Sequence, residues 1–286
     1  MKKILLATTL IAASTGFAAA EVALSGTARM GITTDTASND AAFTSRVRIK
    51  ATATGTTDGG LEFGASMRFD QDGGNDNDAG AVGGGTANDD SNVYISGAFG
   101  KLTFGDNDTA ANVLVGNVSG VGLTGLGDTN ELGYLGQTDT SALYEYSTGA
   151  LSFALSAGQT VAGDAASNES VSVAAKYSTD QFSVALGYED VTGDDQLSLG
   201  ASATFGAATV KVVAMDRDSN ADTNYALSVD YTAGAAVVTA FYADHGPVEA
   251  MGLGASYDLG GGASVVGGVV DNGTDTVADL GLSFSF

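Results

Sequence analysis

The stretch Ala278-Asp279-Leu280-Gly281-Leu282-Ser283-Phe284-Ser285-Phe286 puts Ala278, Leu280, Leu282, Phe284 and Phe286 in one phase and Asp279, Gly281, Ser283 and Ser285 in the other. A period of two is the signature of a β-strand with one apolar and one polar face. The same alternation recurs upstream. In 182–189, Phe182, Val184, Leu186 and Tyr188 alternate with Ser183, Ala185, Gly187 and Glu189. In 196–205, Leu197, Leu199, Ala201, Ala203 and Phe205 alternate with Ser198, Gly200, Ser202 and Thr204. Segments 61–70 and 223–231 carry it too, with Leu61, Phe63, Met67 and Phe69, then Tyr225, Leu227, Val229 and Tyr231, in the apolar phase. Helical templates fit poorly, because Gly and β-branched residues interrupt every run before an i, i+3, i+4, i+7 stripe can develop.

The connections between these runs alternate. Short, weakly charged links (55–60, 148–150, 178–181, 206–207, 232–235, 258–262) take turns with longer acidic ones (71–90, 159–168, 190–195, 216–222, 244–248, 271–276). Turns at one end and long loops at the other describe an up-and-down barrel of the membrane-spanning kind. About sixteen strands are predicted, at 22–33, 43–54, 61–70, 92–98, 100–106, 141–147, 151–158, 169–177, 182–189, 196–205, 208–216, 223–231, 236–243, 249–257, 263–270 and 277–286. At about ten residues each they leave roughly a hundred for loops and turns, so no second domain is needed. A soluble β-sandwich also alternates apolar and polar residues, but it has fewer strands and seldom closes on an apolar strand with an exposed Phe. The fold class expected is therefore all-β: a transmembrane, 16-stranded, antiparallel β-barrel.

Composition narrows function. There is no Cys and a single His, so disulfide scaffolds, thiolate nucleophiles and imidazole metal sites are largely ruled out, and with them most enzyme classes. A formal charge of −23 repels phosphate backbones, which argues against a nucleic-acid partner. With 44% hydrophobic and 16% charged residues the chain is nevertheless too apolar for an acidic disordered protein. Met1-Lys2-Lys3, the apolar stretch Ile4 to Ala13 and Ala18-Ala19-Ala20 read as a secretory signal cleaved after Ala20. Removing 20 residues from 286 leaves 266, residues 21–286, as one domain; losing Lys2 and Lys3 takes −23 to −25. No later apolar run is long enough for a spanning helix, so a membrane form of this chain must be a closed barrel.

One segment breaks the hairpin pattern. Residues 107–140 number 34, and Val113, Leu114, Val115, Val118, Val121, Leu123, Leu126, Leu132, Tyr134 and Leu135 make the segment too apolar for a loop in water. Long connections of this kind are functional or disordered, and the apolar content argues for packing on the inner wall of the barrel. The segment holds Asp108, Asp128, Glu131 and Asp139 and no Lys or Arg; Asp106 stands at its entrance. The basic residues do the reverse, with Arg29, Arg46, Arg48, Lys50 and Arg68 concentrated on the polar phase of the first three strands. A turn centred near residue 57 would bring Arg46 and Arg48 level with Arg68 and Met67, and a first loop centred near 38 would set Arg29 opposite Val47. A cationic wall facing an anionic inner loop puts a transverse field across a wet passage, favouring ionic and dipolar solutes. The same contacts serve equally to hold the loop in place, and both roles stand.

Several longer strings resemble the trimeric general porins of purple non-sulfur bacteria such as Rhodobacter. They are Ala18-Ala19-Ala20-Glu21-Val22 with 24–31, Gly55-Thr56-Thr57-Asp58-Gly59-Gly60-Leu61-Glu62-Phe63-Gly64-Ala65-Ser66, Ser96-Gly97-Ala98-Phe99-Gly100-Lys101, and 252–264. The likeness runs from Ala18 to Phe286. It implies a sixteen-stranded outer-membrane barrel, a third loop folded into the pore as a constriction, homotrimers, and passive diffusion of small hydrophilic solutes and ions, with the acidic excess favouring cations. It further implies that Arg29, Arg46, Arg48 and Arg68 oppose Asp106, Asp108, Asp128 and Glu131, and that these acids serve as calcium ligands in such barrels. No other cofactor is implied. The third loop here is more apolar and less acidic than the family pattern, which bears on calcium and pore size.

Other features carry less. Gly73-Gly74-Asn75-Asp76-Asn77-Asp78 matches part of a calcium-binding repeat that works only when stacked. Asp244-His245 has no nucleophile beside it, so a surface His is the reading. Acids at the long-loop end suit bridging through divalent cations to lipopolysaccharide. Tyr144, Tyr146, Tyr177, Tyr188, Tyr231, Tyr257 and Phe286 suit aromatic girdles at the membrane interfaces. The reading in a different class is a barrel acting mainly as adhesin or envelope protein, which predicts a plugged, non-conducting lumen.

Overall fold

A computed structural model describes residues 21–34, 40–73, 90–136, 140–158 and 169–286. The expected signal at 1–20, residues 74–78 of the repeat-like motif, and Asp139 lie outside the described residues. The strands are β1 (Glu21–Thr34), β2 (Ala41–Thr56), β3 (Glu62–Gly73), β4 (Asn92–Gly97), β5 (Gly100–Gly105), β6 (Ser141–Thr148), β7 (Leu151–Gly158) and β8 (Ser170–Ser178). They continue as β9 (Phe182–Val191), β10 (Asp194–Phe205), β11 (Ala208–Arg217), β12 (Asn224–Ala233), β13 (Ala236–Asp244), β14 (Glu249–Gly260), β15 (Ala263–Asp271) and β16 (Thr276–Ser285). Each pairs antiparallel with its sequence neighbours, and β1 pairs with β16, closing the sheet. Gly26 and Phe286 extend that seam by exchanging backbone hydrogen bonds of 2.7 and 3.0 Å. Closure leaves no strand edge for lipid to desolvate, which lets a sheet sit in a bilayer.

Alternation sorts the two faces as the sequence predicts. On β16, Leu280 is 53% exposed and points outward, while its neighbour Asp279 is 6% exposed and points into the lumen. Phe153, Leu155, Val173, Leu186, Leu199, Leu227 and Leu253 are likewise exposed on the outer face, the band that meets hydrocarbon. Tyr146, Tyr177, Tyr188, Tyr231, Tyr257 and Phe286 are exposed there too. Tyr144 is half-buried instead, its hydroxyl donating to the Phe99 carbonyl.

Two sequence expectations need correction. The predicted acidic loop at 190–195 is a two-residue turn, Thr192-Gly193, because Asp194 and Asp195 pair with Val191 and Asp190; Gly193 supplies the φ of 91° that the reversal needs. Register differs on both flanks of β2. Arg29 faces Arg46 rather than Val47. Between β2 and β3 the pairing runs three residues beyond expectation, Lys50 against Arg68 and Arg48 against Asp70, because the turn between Thr56 and Glu62 is centred near residue 59.

β4 and β5 are only six residues long, since the chain leaves the wall after Gly105. It enters a short helix, α1 (Ala110–Val115), which the strand-only reading missed. Thr109 caps α1 by accepting from the Asn112 N–H at 3.1 Å, and Gly116 ends it with φ 69°. The Thr-Ala-Ala start was the available signal.

Candidate functional site

The inner loop lies along one side of the lumen, and the wall beneath it is shaped to receive it. α1 packs on β7, β8, β9 and β10. Serines on the lumen face take up N–H groups at the helix start, Ser156 accepting from Ala110 and Ser172 from Ala111, both at 2.9 Å. Such donors have no partner within the helix, so wall hydroxyls satisfy them. Further on, Ser119 N–H donates to Ser228 Oγ at 3.0 Å and Ser119 Oγ to Asp230 at 2.7 Å. The loop reaches β16 at Asp279, whose carboxylate accepts from Leu123 N–H (2.8 Å), Thr124 N–H (2.6 Å) and Thr124 Oγ1 (2.7 Å). Gly122, Gly125 and Gly127 have φ between 85° and 89°, and Leu126 and Asp128 also sit in the left-handed region; this tight reversal starts the return path. On the way back Gly133 and Leu135 engage Gln196 and Glu189, at 3.3 Å each.

Glycines make the groove. A Cβ on Gly187 would lie 2.6 Å from Ala111, on Gly254 2.7 Å from Val121, and on Gly268 2.7 Å from the Gly122 backbone nitrogen. On Gly31 and Gly281 it would lie 2.6 Å from Leu123. Loop residues Val118, Val121, Leu126 and Leu132 complete an apolar cluster with Val213, Met215, Phe241, Val270 and Val277 of the wall. Burying each such side chain contributes about 1.5–3 kcal/mol, an upper range for positions that water partly reaches in the unseated state. Tyr134 braces the return path, its hydroxyl donating to the Gly116 carbonyl at 2.6 Å, and burial pushes its pKa up so that it stays a donor.

The loop touches β1 at Gly31 and Arg29 and leaves β2 and β3 open, and along this wall the five basic residues line the lumen. Arg29 and Arg46 are directly opposed, as are Lys50 and Arg68. Like charges placed opposite one another destabilise a sheet pair, and Asp70 on β3 offsets this. Its two oxygens take Arg48 Nε at 2.7 Å and Arg68 Nε at 2.8 Å, and a second Arg68 nitrogen pairs with Asp90. Neither acid was singled out by sequence reading. Arg29 reaches the loop itself, donating to the Thr124 carbonyl at 3.4 Å.

The expected acidic partners divide. Asp108, Asp128 and Glu131 are exposed on the loop. Partial burial, then the charges of Asp128 and Asp108, hold the Glu131 carboxyl above its ordinary range. Asp108 also accepts from the Asn112 side chain at 3.0 Å. Asp106 sits apart in role, its carboxylate accepting the Asp90 N–H at 2.7 Å and tying the entry of β4 to the exit of β5. Among the described residues no three His, Cys, Asp or Glu side chains converge as metal ligands. His245 is half-buried rather than a plain surface residue, with Nε2 2.9 Å from the Thr129 carbonyl of the loop.

A closed antiparallel barrel with an apolar outer band and a polar lumen narrowed by an internal loop defines a membrane channel scaffold. A model of the family described as Gram-negative porin matches residues 7–276. The chain is 38% identical to a Rhodobacter capsulatus porin, aligned over 93% of this chain and 100% of that one. It superposes on a porin structure refined at 1.8 Å with a TM-score of 0.77 at 38% identity. A five-substitution variant of Rh. blastica porin gives the same TM-score at 28% identity; both structures are covered completely by 93% of this chain. The chain belongs to the Gram-negative porin family, whose members are channels rather than enzymes, and it is an outer-membrane general diffusion porin.

Proposed function

We propose that the passage lies between the wall β1–β3 and the inner loop, with Arg29, Arg46, Arg48, Lys50 and Arg68 on one side and Asp108, Asp128 and Glu131 on the other. The observation that carries this is the one-sided seating of the loop: apart from Leu123 at Gly31, its N–H groups and apolar side chains are spent on β7 to β16, so its exposed carboxylates and the basic wall both remain at the water-filled lumen. Two oppositely charged linings orient dipolar solutes and reject apolar ones. Asp70 and Asp90 neutralise part of the basic wall, so the five cations and five carboxylates of the lining (two on the wall, three on the loop) balance, and the cation preference rests on the acidic excess of the whole chain, formally −23. Reversal potentials in a KCl gradient test this; anion preference in the wild-type channel would overturn it.

The assembly is a homotrimer, supported by family membership, and residues 1–20 are an export signal, supported by their Lys-apolar-Ala pattern. Conductance steps in multiples of three, and a mature N-terminus at Glu21 by mass spectrometry, are the expected results. At the outer end, the charge of Asp195, with desolvation and the charges of Asp194 and Asp216, raises the Asp218 carboxyl above its usual range. Such crowded acids favour divalent bridging to lipopolysaccharide, and membrane affinity unaffected by magnesium would count against that role.

A further inference from the structure

Beneath α1, on the side of the short turns, a cavity of about 220 Å³ lies between loop residues 113–117 and strands β8 to β11. Two lysines line it, Lys176 and Lys211. They sit on the same inward face, three strand spacings apart, or about 14 Å laterally. Between them Ser183 and Ser202 are directly opposed, with their hydroxyls 2.9 Å apart. Val113 and Val115 of the loop line the cavity as well, and Val213 lines it from the same face of β11 as Lys211.

Lys211 Nζ donates to Ser119 Oγ at 2.9 Å, and through that hydroxyl it is linked to Asp230. An ammonium has three donors, so at least one stays available. Lys176 has no carboxylate within ion-pair distance among the described residues. The cavity is smaller than the roughly 300 Å³ at which drug-sized pockets begin, so its occupant is small. Two cations separated by a pair of hydroxyls, with valines from both loop and wall, match a molecule with an anionic group at each end and a short methylene chain between them.

We infer that this cavity is a weak subsite for small aliphatic dicarboxylates on the periplasmic side of the inner loop, a station on the diffusion path distinct from the basic wall of β1 to β3. The test is NMR of the folded protein carrying ¹³Cε-labelled, unmodified lysine, with the lysine signals assigned through Lys176→Gln and Lys211→Gln. Adipate is the probe and sulfate, at matched charge and ionic strength, is the control. Adipate should shift the Lys176 and Lys211 signals together along one saturating curve, and sulfate should not. In K176Q, which breaks no bond to the loop, the adipate response at Lys211 should need about two- to five-fold more ligand. Equal titration by sulfate and adipate, or an unchanged response in K176Q, would overturn the subsite. Because the readout is independent of conduction, its failure would leave the channel reading untouched.

Discussion

From β7 round to β16 the inward positions under the loop include Ser156, Ser172, Gly187, Gly200, Gly254, Gly268 and Asp279 beside the apolar Val213, Met215 and Phe241, whereas from β1 to β3, Gly31 apart, they include Arg29, Arg46, Arg48, Lys50, Arg68 and Asp70. The strands are of one kind and the hydrogen-bond ladder is continuous. What differs is side-chain volume and charge. Small residues let a second layer of backbone come within van der Waals distance, and a few hydroxyls and one carboxylate satisfy the polar groups that this layer brings. Long cationic side chains leave no such space, and their hydration keeps that side wet. Porosity follows from this asymmetry: one side of the lumen is filled and the other is held open.

The largest effect should come from filling the groove. Gly268→Val places a methyl-bearing carbon 2.7 Å from the Gly122 backbone nitrogen, and overpacking of this type costs about 1–3 kcal/mol. The barrel should still form, with heat-modifiable gel mobility intact, while amides 117–128 lose exchange protection and single-channel conductance changes. Unaltered protection would mean that the glycines do not define the seat.

Next is the anchor. Asp279→Asn keeps the shape but turns a carboxylate that accepts three donors into an amide. Hydrogen bonds to a charged group contribute about 1.5–3 kcal/mol, so exchange at Leu123 and Thr124 should rise by about ten-fold or more. Equal exchange in the two proteins would assign the seating to the apolar cluster alone.

On the open side the effects are smaller, because those charges are partly solvated. Neutralising Arg46, Arg48 and Arg68 should raise the cation-to-anion permeability ratio by about two- to five-fold, and Asp70→Asn should lower it. Parallel shifts in both variants would show that loop movement, and not wall charge, sets selectivity.

The smallest effect concerns pH. Glu131 has a folded-state pKa raised above 4.5. Its protonated form is therefore the favoured one in the folded loop: the stabilisation is fully present below 4.5 and is lost as pH rises through the raised value. On acidification Glu131 takes up its proton before an ordinary carboxyl does, so cation preference should begin to fall above the usual carboxylate range. Glu131→Gln should remove that early phase; a titration identical in wild type and variant would rule it out.

The number of the strands, and their limits to within two or three residues, were legible because alternation is a local property: β16 announces itself in ten residues, and the two-residue turn at Gly206-Ala207 falls where two periodic runs meet. Which residues face the lumen was legible for the same reason. Parity also held unused information about register. Directly opposed residues share a face, so Arg48 and Arg68, both inward, require an even partner sum; the expected pairing of Arg48 with Met67, sum 115, does not provide one, and the observed sum of 118 does. The inner loop was visible as a length anomaly, but α1 was not, since six residues give too little periodicity to set against the Gly and Val around them.

By itself, the sequence determined a closed, outward-apolar barrel, an inward position for the basic residues, and an aberrant third connection, because each follows from the order of side chains along the chain. Only the tertiary structure decided that Asp70 and Asp90, rather than the loop acids, pair with Arg48 and Arg68, that Asp279 and a line of glycines seat the loop, and that Asp106 serves the wall. Those pairings join residues up to 156 positions apart, and their partners are chosen by register and by the path of the loop through the lumen, neither of which any local pattern encodes.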